Sequence, residues 1–201
     1  MAFGNEEARQ EIAALAARFI ADGGLDYANA KVKAAREIFG GRAPKGAMPD
    51  NEQVDEALRE HLDLFDEHHA ARVHAMREAA LELMDRLQAF SPLATGAVWK
   101  GVAAEHVPIH LQLFHDNVKE VEFFLLDHRV DFDVSSMTHF RGQGEVETLA
   151  LTWRGLPVLL SLYGQDDLRG ALKGGDTAQR GTRVALAARL QAADAADAAG
   201  S

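Results

Sequence analysis

The hydrophobic period of this chain changes at Ser91-Pro92, and that change limits the folds open to it. Before it, apolar residues recur every three or four positions, as helices require. Ile12, Leu15, Ala16, Phe19 and Ile20 form one such set, and Ala30, Ala34 and Ile38 a second. The third and longest runs through Val54, Leu58, Leu62, Phe65, His69, Val73, Met76, Leu83 and Leu87. After Pro92, which cannot continue a helix with its hydrogen bonds intact, short apolar runs alternate with turn residues. The fold class predicted is α+β, a helical segment over residues 1–91 followed by a small mixed β-sheet with packed helices over 92–173. Residues 174–201 are expected to form a flexible loop and an alanine-rich helix whose end frays.

Capping chemistry refines the helices. Asn5, Asp26 and either Asp50 or Asn51 are expected N-caps, while Gly23-Gly24 and Gly40-Gly41 are stops. The pattern over 51–90 is long for one globular helix, and a break is expected near 68–71. Strands are predicted at 93–99, 109–114, 130–134, 146–153 and 157–163, with helices at 118–128, capped by Asn117, and at 166–172. Gly155 marks a hairpin, and Pro157 an edge or a strand start.

Composition excludes several function classes. The chain has 201 residues, no cysteine and a net charge of −10. Thiolate chemistry and disulfides are therefore absent, and nucleic-acid binding is disfavoured because a phosphate backbone would be repelled. No stretch approaches the ~18 apolar residues of a membrane span, and the charged N-terminus does not read as a signal peptide. A cytoplasmic protein is expected. Lys31, Lys33 and Arg36 form a local basic cluster, read as a solvated helix face.

The stretch over 92–134 carries the chemistry. It offers a turn, Thr95-Gly96-Ala97, then about ten residues, then Pro108-Ile109-His110. This order resembles the minimal nucleotidyltransferases of the polymerase-β superfamily. Their pattern is Gly-Gly or Gly-Ser followed, after a similar interval, by Asp-hydrophobic-Asp. Residues i and i+2 of a strand share a face, so two acids can hold divalent metal together. The resemblance implies a nucleotidyltransferase-like core, a nucleoside triphosphate with Mg²⁺ as ligand, and triphosphate contacts at Gly96, Ala97, Lys100 and Gly101. It also implies that the acid pair is missing, since Pro108 and His110 stand in its positions. Asp131 and Asp133 are the remaining candidates for catalytic carboxylates, with Glu147 as a third. The alternation with Val130, Phe132 and Val134 favours reading both aspartates as a solvated strand face.

The segments LDYANAKVKAA (25–35), PDN (49–51), TGAVWKG (95–101) and IHLQLF (109–114) resemble a small proteobacterial family. That family's strand begins Ser-Asp-Ile-His, against Val107-Pro108-Ile109-His110 here. Its members are sometimes labelled UDP-N-acetylmuramate–alanine ligase, but the Gly-Lys-Thr/Ser phosphate loop of such ligases is absent from this chain.

Three readings follow. The first is a nucleotidyltransferase-fold protein with a degenerate metal site, binding a nucleotide or a protein without catalysis. The second is a working transferase using Asp131 and Asp133. The third is an interaction protein or homo-oligomer, docking through the long helix. His61, His68 and His69 with Asp66 and Glu67 are too irregularly spaced for a helical metal site, and His69 falls on the apolar stripe.

Overall fold

The computed structural model describes residues 4–173, 177 and 179–200. Two compact units emerge. The first comprises the residues up to Ala71 together with Val102–Glu105, and the second Arg72–Gly101 and the residues from His106 onward. The division falls inside a helix, whereas the period change alone puts it at 91.

The first unit is helical: α1 (Asn5–Gly23), α2 (Tyr27–Phe39), α3 (Asn51–Phe65) and the start of α4 (His69–Arg86). α1 packs on both α2 and α3. Its core is rich in alanine (Ala13, Ala16 and Ala17 of α1, Ala30 and Ala34 of α2), and Ile12, Val54, Leu58 and Leu62 fill the remaining space. Asp26 caps α2 by accepting from the Asn29 amide at 2.9 Å. Asp50 caps α3 in a reciprocal box with Gln53, at 2.8 and 3.1 Å. Asn5 is the first residue of α1 and Gly4 its cap.

The long apolar pattern breaks at 66–68, slightly ahead of expectation. Asp66 leaves helical geometry, and its carboxylate accepts from the His68 amide at 3.0 Å. Its backbone carbonyl also accepts from the His69 amide, so α4 starts afresh. His69 is buried with both ring nitrogens engaged: Nδ1 lies 2.7 Å from Asp63 and Nε2 accepts from the Ala103 amide at 3.3 Å. It is a core histidine. Among the described residues no three His, Asp or Glu side chains gather in metal-binding geometry.

The second unit holds the sheet. After α4 come β1 (Leu93–Thr95), α5 (Gly96–Lys100), β2 (Ile109–Phe114), α6 (Val118–Asp127), β3 (Phe132–Thr138), β4 (Glu145–Trp153) and β5 (Leu156–Tyr163). α7 (Gln165–Ala171), β6 (Arg180–Gly181) and α8 (Arg183–Gly200) complete it. The order is β3-β4-β5-β2-β1-β6, with β2 and β5 parallel and every other pair antiparallel. The fold class is thus α+β, with eight helices and a six-stranded mixed sheet among the described residues. No helix there is long and apolar enough to cross a membrane.

Several expectations are corrected. The run over 93–99 is not one strand, because Gly96 takes φ 63° and turns the chain into α5. The third strand begins at Phe132, so Asp131 lies ahead of it. Pro157 stands in a strand flanked on both sides, but before the parallel register with β2 begins at Val158, where its missing N–H costs nothing. Arg154 and Gly155, both at positive φ, make a tight two-residue hairpin. Of the long apolar pattern, Val73, Met76, Leu83 and Leu87 are buried, whereas Phe65 at the end of α3 is exposed.

The two sheet faces differ in chemistry. Ile109, Leu111, Leu113, Leu149, Leu151, Val158, Leu160 and Leu162 share one parity and are all buried, forming an apolar face. The opposite parity brings His110, Gln112, Thr148, Ser161 and Tyr163 to the other face, with Thr95 and Arg180 beside them.

Candidate functional site

One cross-strand row organises this polar face. In pairing order it runs Asp133, Ala150, Leu159, His110, Thr95, Arg180. His110 is central, with Thr95 and then Arg180 on one side. Asp133 lies three strands away in the other direction, about 14 Å at the usual strand spacing. It does not join the Gly96 turn.

The turn follows from Thr95 and Gly96. Thr95 ends β1, and its hydroxyl donates to the Gln179 carbonyl at 2.8 Å, tying down the segment that leads into β6. A Cβ placed on Gly96 would lie 3.8 Å from the His110 Cβ, so the turn abuts β2, and the positive φ is what favours glycine there. α5 follows, with Ala97 accepting from the Gly101 amide at 2.8 Å. Gly101, an expected phosphate contact, closes α5 at positive φ and lies against Arg77. A Cβ on it would come within 2.6 Å of the Arg77 guanidinium, whose Nε donates to the Val98 carbonyl at 3.2 Å. Lys100 is half-buried at the C-terminus of α5 and engaged in interactions of its own.

Behind the turn lies a buried polar chain. His110 Nε2 is 2.8 Å from the Ser161 hydroxyl, which is 3.2 Å from that of Thr148. Gln112 Nε2 donates to the Tyr163 hydroxyl at 3.4 Å, while its Oε1 is buried without a partner among the described residues. Burial, and secondarily the positive charge of Arg180, lowers the His110 pKa from 6.5 to about 4. The imidazole is therefore neutral at physiological pH. Burial also raises the Tyr163 pKa. The Arg180 guanidinium sits 4.4 Å over the Phe140 ring, which packs on Tyr163 at 5.1 Å.

The expected catalytic acids lie elsewhere. Asp131 and Asp133 are exposed and line an open cleft of about 810 Å³ with His128, Arg129, Thr152 and Trp153. Glu147 has the opposite parity on β4 and faces the apolar side, where its carboxyl lies 3.9 Å from Lys119. Burial, then the Glu122 carboxylate, raises the Glu147 pKa. The three acids cannot close on one metal. Arg141 pairs with Asp167 at 3.0 Å. In the first unit, Lys31 donates to Asn51 at 2.9 Å and Lys33 lies 4.1 Å over the Phe19 ring, so that basic cluster is partly spent internally.

Sequence reasoning missed Ser161, Thr148, Gln112, Tyr163 and Arg180. Gln112, Ser161 and Tyr163 had a signal in the i, i+2 spacing of polar residues within the strands, in His110-Leu111-Gln112 and Ser161-Leu162-Tyr163, while Thr148, between Val146 and Ala150 at that spacing, had none. Arg180 had none, because its strand is two residues long. No protein-family model matches the chain, and no curated protein matches it.

Proposed function

We propose that this chain is a nucleotidyltransferase-fold protein that binds a nucleotide on the polar face of its sheet and does not transfer it. One observation carries the reading. The Gly96 turn abuts His110, so backbone amides suited to phosphate oxygens stand beside the strand that would act on them.

The groups on that strand do not fit magnesium. Pro108 offers no ligand, and His110 presents a neutral imidazole already 2.8 Å from Ser161. Mg²⁺ requires oxygen ligands in near-octahedral array, and nucleotidyl transfer usually takes them from paired carboxylates. With Asp133 three strands off and Glu147 on the opposite face, no carboxylate candidate reaches the turn. Binding is retained and transfer is not.

Isothermal titration of ATP, GTP, CTP and UTP tests this, paired with an assay for product from a labelled triphosphate. Heat of binding for at least one nucleotide without product is expected. No heat at millimolar nucleotide would remove nucleotide binding, and product formation would remove the non-catalytic half.

A protein-binding role is favoured by a separate observation. β3 is a sheet edge with neither proline nor lysine to guard it, and Val134 on it is exposed. Light scattering is expected to report a dimer under that reading, and a monomer at high concentration would count against it.

A further inference from the structure

Arg180 is a half-buried guanidinium over the Phe140 ring, which Arg141, itself paired with Asp167, also overlies at 5.5 Å. Its backbone pairs with Thr95, which pairs with His110, so its side chain rises on the same face. Around it stand the Phe140 ring, the Tyr163 hydroxyl and the neutral His110 imidazole. Among the described residues no carboxylate pairs with it, and its Nε is buried without a hydrogen-bond partner. Asp167 is already bound by Arg141 at 3.0 Å and by His139 at 3.2 Å.

Removing a guanidinium from water without an anion opposite it is costly, and cation–π contact with one ring offsets only part of that. A second orphan points to the same place. Gln112 is 3 % exposed, its Oε1 lacks a partner among the described residues, and its amide reaches Tyr163, whose ring packs on the Phe140 that Arg180 overlies. Two unsatisfied polar groups on one sheet face, one cationic and one able to accept a hydrogen bond, describe a ligand that is anionic and also carries a donor.

We propose that Arg180 takes the part of the missing metal ion, holding a phosphate group of the nucleotide directly, with Gln112 accepting a hydrogen bond from the same ligand. This rests on the nucleotide-binding reading above. A guanidinium matches two phosphate oxygens through its parallel N–H groups, so charge neutralisation needs no divalent cation.

ATP is titrated into the full chain in EDTA and again in Mg²⁺, with the wild type, Arg180→Ala and Arg180→Lys. The wild type is expected to bind equally within about twofold in the two buffers. Arg180→Ala is expected to weaken binding roughly ten- to a hundredfold, the worth of a charge-assisted hydrogen bond, with Arg180→Lys in between. Should Arg180→Ala be unstable, the lysine variant still decides, because ATP should raise the melting temperature of the wild type more than that of Arg180→Lys. Binding that appears only with Mg²⁺, or that is unchanged in both variants, overturns the role of Arg180 and leaves the nucleotide-binding reading standing. No binding in either buffer overturns both.

Discussion

His110 is the single side chain on which the proposed non-catalytic reading turns. A carboxylate in its place would stand beside the buried Ser161 in a poorly solvated environment, whereas a neutral imidazole bonds Ser161 and stays uncharged. Its lowered pKa has a consequence for stability. Between the unfolded value of 6.5 and the folded value of about 4, the unfolded chain takes up a proton that the folded chain refuses. Stability is therefore full above pH 6.5 and falls as pH drops toward 4, by about 3 kcal/mol across the window. His110→Gln keeps the hydrogen bond and removes the titration. Urea unfolding at pH 4.5 and 7 is expected to show a smaller pH-dependent loss in that variant than in the wild type. An identical loss in both would mean that His110 is charged in the folded state.

At the scale of elements, the C-terminal segment matters more than its composition suggests. β6 docks against α5 through Gly181, where a Cβ would come within 2.0 Å of the Trp99 indole. That indole donates to the Thr177 carbonyl at 3.0 Å and is covered by Arg189 at 3.9 Å. Gly181→Ala is expected to destabilise the protein by about 1–3 kcal/mol, measured by denaturant unfolding with Trp99 fluorescence as one probe. A change under about 0.5 kcal/mol would mean that β6 is dispensable. The helices and the central strands were legible because their signals are local. Asp26 and Asp50 announce caps, Gly24 and Gly40 announce stops, and the alternation in Ile109–Phe114 announces a half-polar strand. The turn at Thr95-Gly96-Ala97 was legible, but the strand over 93–99 was drawn through it, because one residue at positive φ redirects a chain without altering its hydrophobic period. The site was less legible than the fold. Asp131 and Asp133 drew attention as a spaced acid pair, but strand order decides which residues meet, and pairing partners such as Leu159 for His110 are set by long-range register.

In the molecule as a whole, acidity and the polar sheet face pull in opposite directions. With a net charge of −10, the surface repels anions in general, so a nucleotide held by this chain needs a local cation and a sheltered site. Arg180, screened by Phe140 and Tyr163, meets both needs. The open cleft beside Asp131 and Asp133 meets neither, since its aspartates would repel a triphosphate in the absence of metal. The two places lie at opposite ends of one cross-strand row, so a probe that reports location can distinguish them. Backbone amide chemical-shift mapping during an ATP titration of the isotope-labelled chain is that probe. Binding on the polar face predicts the largest shifts at Thr95, Gly96, His110, Gln112 and Arg180. Shifts confined to residues 128–133 and 150–153, or none at millimolar ATP, would contradict it.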